Sequence, residues 1–343
     1  MILVNRSRLF VYAALVSLTL LATAPGVLAQ APVGQPVAPG PGGPGAPGGP
    51  GGPGGPGGPG GRGGQGGTVA PPGPPAPVPA AVAQPTATDV AAADRALARF
   101  VASDAEARAL TTKYPGLIEV RRPSATNTAI MPSLSTGFLA KHQANLAVAA
   151  QGDSELLFMG DSITDFWRNE QGNTAGKPVF DKYFGKWKVA NFGIAGDTTQ
   201  GVLYRLQNGE GKGFKPKAVM LMIGTNNTGR NTAAEIAEGV GAIVLQLQND
   251  FPEAKILLLG IFPRGRAATD PARATISQIN TIISKLHDGN RVHYLDIGAK
   301  FLDASGNIPV DVMSDALHPT GKGYEIWADA VIAQVTALMN APR

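Results

Sequence analysis

Residues 155–164 read ELLFMGDSIT, and the order of residue types in this stretch sets the fold. An unbroken apolar run, Leu156-Leu157-Phe158-Met159, stops at Gly160 and gives way to the polar turn Asp161-Ser162. A brief run without polar alternation is what a strand covered on both faces requires. Working outward, similar runs lie at 189–192, 218–223, 255–261 and 292–297, each bounded by turn residues. Segments of helical length lie around them, at about 135–150, 198–207, 232–249, 271–287 and 322–339. Five such strands alternating with helices predict an α/β fold, a three-layer α/β/α sandwich on a five-stranded parallel sheet.

Ligands of such sheets bind beyond the carboxyl ends of the strands, so the chemistry is expected just after each apolar run. The polar clusters there are Gly160-Asp161-Ser162-Ile163-Thr164, then NFGIAGD (191–197), then Gly224-Thr225-Asn226-Asn227, and finally Asp315-Ala316-Leu317-His318-Pro319 before the last helix. A serine at a strand-to-helix turn exposes its hydroxyl to the positive end of a helix, which favours developing negative charge. Such a serine needs a base, and the chain has four histidines. His142 lies in a helix ahead of the first strand, His287 ends a helix, and His293 reads as a structural residue of a strand. His318 follows an acid by three residues, a spacing at which the two side chains meet on one helical turn. Asp315 is then expected to orient His318 Nδ1, leaving Nε2 to deprotonate Ser162. The backbone N–H groups of Ser162 and Gly196 and the Asn226 amide are the candidate donors to a tetrahedral oxyanion. Asp161 and Asp197 read as loop-fixing residues. Trp187 and Trp327 read as packing residues; Trp167 reads as core, with an edge of the pocket as the other reading. No cofactor is expected, and no histidine pair at ligand spacing supports a metal.

The four blocks resemble those of the SGNH (GDSL-like) hydrolase family, represented here by Ser162, Gly196, Asn226 and His318 across about residues 135–340. NFGIAGDTTQGVLYRLQNGE (191–210), KPKAVMLMIGTNN (215–227), LLGIFPRG (258–265) and DALHPTGKGY (315–324) are similar to the catalytic-subunit subfamily of brain-type platelet-activating-factor acetylhydrolases. The resemblance implies a flavodoxin-like sandwich, a Ser-His-Asp triad of Ser162, His318 and Asp315, no metal, and hydrolysis of short, chiefly acetyl, esters. It also implies an acyl pocket limited by Ile163, Thr225 and Leu317, and a homodimer. Two other readings stand beside it. One is a lysophospholipase or thioesterase acting on longer acyl chains; the other is a non-catalytic cell-wall or glycan-binding module on the same fold.

The rest of the chain departs from that pattern. Residues 1–29 carry Arg6 and Arg8, an apolar run over 9–24 and a small residue at Ala29, the plan of a secretory signal peptide. The expected location is secreted or periplasmic, with an uncleaved anchor as the other outcome. Residues 30–88 hold 20 of the 45 Gly and 17 of the 29 Pro, with Pro-Gly-Gly triplets over 40–67, and read as a disordered spacer through which the domain could meet the cell envelope. A helical extension is expected over 89–130, chiefly one helix over 89–113 packed on the core, and the hydrolase domain over 131–343. There is no cysteine, so disulfides and thiolate chemistry are excluded. A net charge of +4 over 343 residues gives no footprint for nucleic acid, and the substrate expected is a small-molecule or glycan ester.

Overall fold

The computed structural model describes residues 67–82, 87–113 and 126–342. The signal peptide expected at 1–29 and the spacer up to residue 66 lie outside the described residues.

The five apolar runs form strands β1 (Leu156–Gly160), β2 (Val189–Asn191), β3 (Ala218–Met222), β4 (Lys255–Leu259) and β5 (Val292–Leu295). All pairings are parallel, in the order β2-β1-β3-β4-β5. Leu156 sits opposite both Val189 and Ala218, so β1, β2 and β3 run to the same edge, where β1 and β3 end level at Gly160 and Met222 and β2 ends two residues earlier, opposite Phe158. This is the flavodoxin-like order, whose switch point lies between β1 and β3.

Nine α-helices are described: α1 (Ala87–Ser103), α2 (Ala105–Lys113), α3 (Leu139–Gln151), α4 (Ser162–Asp165), α5 (Lys177–Phe184), α6 (Thr199–Arg205), α7 (Ala233–Asp250), α8 (Pro271–Ile283) and α9 (Gly321–Asn340). The alternation of side chains along each strand divides the core in two. Leu157, Met159, Val219, Leu221, Ile256 and Leu258 face one cluster with α6, α7 and α8. Leu156, Phe158, Met220, Met222, Leu257 and Leu259 face the other with α4, α5 and α9. Local chemistry sets where the long helices begin. Thr232 and Glu235 form a reciprocal capping box on α7, and Asp270 caps α8 ahead of Pro271.

The structure departs from the sequence reading at the N-terminal side. The single helix expected over 89–113 is two helices, broken at Asp104, whose carboxylate accepts the Ala107 N–H at 2.8 Å and so caps a new start. No described residue of either helix is buried, and Phe100 is 48% exposed, so the expected packing on the core is not found. In contrast, residues 67–82 are tied to the domain, although only Ala76 and Val82 of them are buried. Val69, Gly73 and Ala76 donate backbone N–H groups to the carbonyls of Leu134, Pro132 and Ile130 at 2.7–2.9 Å. Ala76 and Val82 are buried in the α7 cluster. The prolines between these donors have no N–H to satisfy. Folded structure therefore begins well ahead of residue 131. Among the described residues no helix is long and apolar enough to cross a membrane.

Candidate active site

Ser162 is the first residue of α4, immediately beyond β1. Asp161 caps the helix by accepting the Ile163 N–H at 3.0 Å. Burial pushes the Asp161 carboxyl up to about 7; the Ile163 N–H opposes that, and nearby Asp197 adds to it. As the first helical residue, Ser162 has no intrahelical partner for its own N–H. Its Oγ lies 2.9 Å from His318 Nε2. His318 Nδ1 lies 2.6 Å from Asp315 Oδ2. The three side chains thus form one hydrogen-bonded line from a strand end to the loop before α9.

Asp315 and His318 meet differently from the helical turn expected. The segment is a turn in which Asp315 Oδ1 accepts the N–H groups of Leu317 (3.0 Å) and His318 (2.8 Å). Ala316 between them takes φ +60°, a left-handed conformation that few non-glycine residues adopt. One carboxylate therefore fixes both the backbone and the ring of His318. Burial works against the Asp315 charge, but the His318 imidazole and these backbone donors outweigh it and hold its pKa below the ordinary value. Arg266 anchors the same loop by donating to the carbonyls of Ile308, Met313 and Ser314.

The other two blocks arrive at the same edge. Gly196, beyond β2, has φ +86°, and the Phe138 ring lies 3.5 Å from where a side-chain carbon would sit. Asn226 lies in the turn after β3 and donates Nδ2 to the Asp197 carbonyl at 2.8 Å. An amide so fixed keeps a second N–H for an acceptor. Of the remaining expected residues, Ile163 is 1% exposed and belongs to the α4–α9 core cluster, against which Leu317 packs half-buried. Thr225 is buried and accepts from Arg264 through both its carbonyl (3.1 Å) and its hydroxyl (3.3 Å). Trp167 is wholly buried among Phe184, Tyr324 and Trp327, so its core reading holds.

Two features escaped the sequence reading. The Phe166 ring sits 5.0 Å from the His318 ring, one residue from the tryptophan that drew attention. Beneath the Gly196 loop lies a buried ionic network. Arg205 pairs with Asp197 at 2.8 Å and with Glu210; Glu210 in turn receives His142 Nδ1 at 2.8 Å and Asn145 at 3.2 Å. Its members are scattered between 142 and 210, and no local spacing joins them. Clefts of about 650 and 430 Å³ lie elsewhere, and neither is lined by Ser162, Asn226 or His318.

Chemically, the line Asp315–His318–Ser162 can move a proton off the serine hydroxyl, and the donors of the three strand ends can meet negative charge on a neighbouring oxygen.

Residues 158–326 match the GDSL-like lipase/acylhydrolase family. Platelet-activating factor acetylhydrolase IB subunit alpha2 of Rattus norvegicus is 35% identical over 188 residues, 54% of this chain and 78% of that protein. Subunit alpha1 of Homo sapiens is 33% identical over 188 residues, again 54% and 78%. Among solved structures, an acetylxylan esterase from Geobacillus stearothermophilus aligns at 22% identity with a TM-score of 0.44, over 56% of this chain and 97% of that one.

Proposed function

The chain belongs to the GDSL-like lipase/acylhydrolase family and is an ester hydrolase, and from that premise we propose that it cleaves short-chain, chiefly acetyl, carboxylic esters through Ser162, His318 and Asp315. The observation that carries this is the unbroken pair of contacts Ser162 Oγ–His318 Nε2 at 2.9 Å and His318 Nδ1–Asp315 Oδ2 at 2.6 Å.

In this mechanism neutral His318 takes the Ser162 proton as Oγ attacks the ester carbonyl. The carbonyl oxygen becomes an oxyanion and receives the N–H groups of Ser162 and Gly196 and the free N–H of Asn226. The imidazolium gives its proton to the departing alcohol, and the C–O bond breaks to leave an acyl-serine. Water, deprotonated by His318, repeats the attack on the acyl carbon, and the acid leaves as Ser162 regains its proton. Asp315 holds the ring in the tautomer that keeps Nε2 free to accept.

The short-acyl preference rests on Ile163, Thr225 and Leu317. The first two are buried residues adjoining the nucleophile and the Asn226 donor, and Leu317 precedes His318. Long chains would have to displace packed side chains. Small-molecule and glycan esters both fit this reading. Export with cleavage after Ala29 belongs to the same proposal, and the N-terminal residue of the mature protein tests the cleavage: one at or near Gln30 supports it, and an intact Met1 overturns it.

Turnover of 4-nitrophenyl esters of two, four and eight carbons by the full chain, beside Ser162→Ala, tests the function. The expected result is a steep fall with chain length and complete loss in the variant. Serine-independent turnover would remove the nucleophile, and equal rates at two and eight carbons would remove the short-acyl preference.

A further inference from the structure

We propose that Asp165 is a positioning residue that sets the distance between the Ser162 and Gly196 oxyanion donors. This rests on the reading of those donors given above.

Asp165 is the last residue of α4, the helix that begins with the nucleophile, and its side chain is 5% exposed. Its Oδ2 accepts the Ala195 N–H at 2.9 Å. Ala195 precedes Gly196, so this bond fastens the glycine loop to the nucleophile helix within one residue of the donor. The carboxylate is itself held from two sides. Lys141 Nζ lies 3.0 Å from both of its oxygens, and Arg168 donates Nη2 to Oδ1 at 2.6 Å. The same Arg168 reaches across to the loop, donating to the carbonyls of Asn191 and Gly193, each at 2.6 Å.

The loop and helix are in backbone contact at this point. A side-chain carbon on Gly193 would lie 2.4 Å from the Asp165 nitrogen, so only glycine lets the two segments come this close. Asn191 Nδ2 closes the contact on the Thr164 carbonyl at 2.9 Å. Backbone proximity alone does not orient the next peptide, however. The Ala195 N–H is the donor nearest Gly196 in the chain that is bonded to α4, and Asp165 is its acceptor.

Oxyanion donors act only within a few tenths of an ångström of their working distance, and they act in the transition state rather than on bound substrate. Loosening Ala195 should therefore lower kcat and leave KM nearly alone. A residue that merely stabilised the fold would lower the melting temperature with kcat per folded molecule unchanged.

The experiment measures kcat, KM and Tm for the full chain carrying Asp165→Ala, Asp165→Asn, Asp165→Glu and Lys141→Met, with a 4-nitrophenyl acetate assay. Asp165→Ala is expected to lower kcat by roughly 10–10²-fold, the scale of a misplaced catalytic contact. Asp165→Asn keeps an acceptor for the Ala195 N–H and should restore kcat to within about threefold. Lys141→Met removes a half-exposed ion partner and should lower kcat by about threefold or less. If Asp165→Ala does not fold, Asp165→Glu decides. It keeps the charge but shifts the carboxylate by one methylene, and it must lower kcat at constant KM. The proposal is overturned if Asp165→Ala or Asp165→Glu changes Tm alone, or if Asp165→Asn is as impaired as Asp165→Ala. Ser162→Ala, assayed in parallel, reports separately on the nucleophile, so failure of the functional reading is distinguishable from failure of this one.

Discussion

The Asn226 side chain donates to the Asp197 carbonyl at 2.8 Å, so the turn after β3 and the loop after β2 are tied at the point where both present donors. The proposed oxyanion site is thus a single hydrogen-bonded unit. Asn226→Ala is expected to lower kcat by roughly 10²–10³-fold, the usual loss for one such donor. Acetyl-ester kinetics check it: a change confined to KM would take Asn226 out of the site.

The buried Asp161 carboxyl gives a stability signature in pH. Its folded pKa of about 7 stands above the ordinary 3.8, so the native state holds this proton more tightly than the unfolded chain. That contribution is complete below pH 3.8 and is lost as pH rises through about 7. Three units correspond to about 4 kcal/mol at full extent. Asp161→Asn has no proton to lose, so urea unfolding at pH 5 and pH 8 should show a larger loss in the parent than in the variant. Equal losses would show that Asp161 titrates normally.

Removing Arg205 should be among the most damaging single changes in the domain. It is 0% exposed, as are Asp197 and Glu210, and Arg205→Met would leave two carboxylates buried together. The expected destabilisation is about 3–5 kcal/mol, whereas Lys177→Met, which breaks an exposed pair with Asp181, should change stability by less than about 1 kcal/mol. Comparable midpoints for the two variants in urea would refute the difference.

Residues 67–82 should contribute to stability despite their linker-like composition. A chain starting at residue 83 loses the burial of Ala76 and Val82 and is expected to be about 2–4 kcal/mol less stable than one starting at 67. Gly241→Val should act in the same direction, since a side-chain carbon there would lie 2.7 Å from Val82 and 2.9 Å from Pro79. Unchanged urea midpoints in both would mean that the segment is only laid on the surface.

What was legible in the sequence follows from which interactions are local. Strands covered on both faces write themselves as apolar runs, so all five were readable, and so was the convergence of Ser162, Gly196, Asn226 and His318 on one edge. The Asp315–His318 spacing was readable, but its conformation was not. An aspartate accepting two backbone N–H groups around a left-handed alanine looks, in sequence, like the start of a helix. The Arg205 network joins residues as far as 68 positions apart in the chain, as His142 and Glu210 are. The attachment of 67–82 rests on backbone donors and on only two buried side chains, Ala76 and Val82, too few to make a pattern. Sequence does not separate Phe166 from Trp167, because helical spacing does not tell which of two adjacent aromatics turns toward His318.

That backbone-paired segment has a mechanical consequence. Thr68 bridges Ser135 in antiparallel sense, and the bonds further along reach Leu134, Pro132 and Ile130 in turn. Tension applied upstream of Gly67 therefore meets these bonds one at a time, as in opening a zip, and not in parallel shear. The segment would peel at low force back to Val82. The parallel sheet, none of whose strands lies in the peeled segment, would stay at rest.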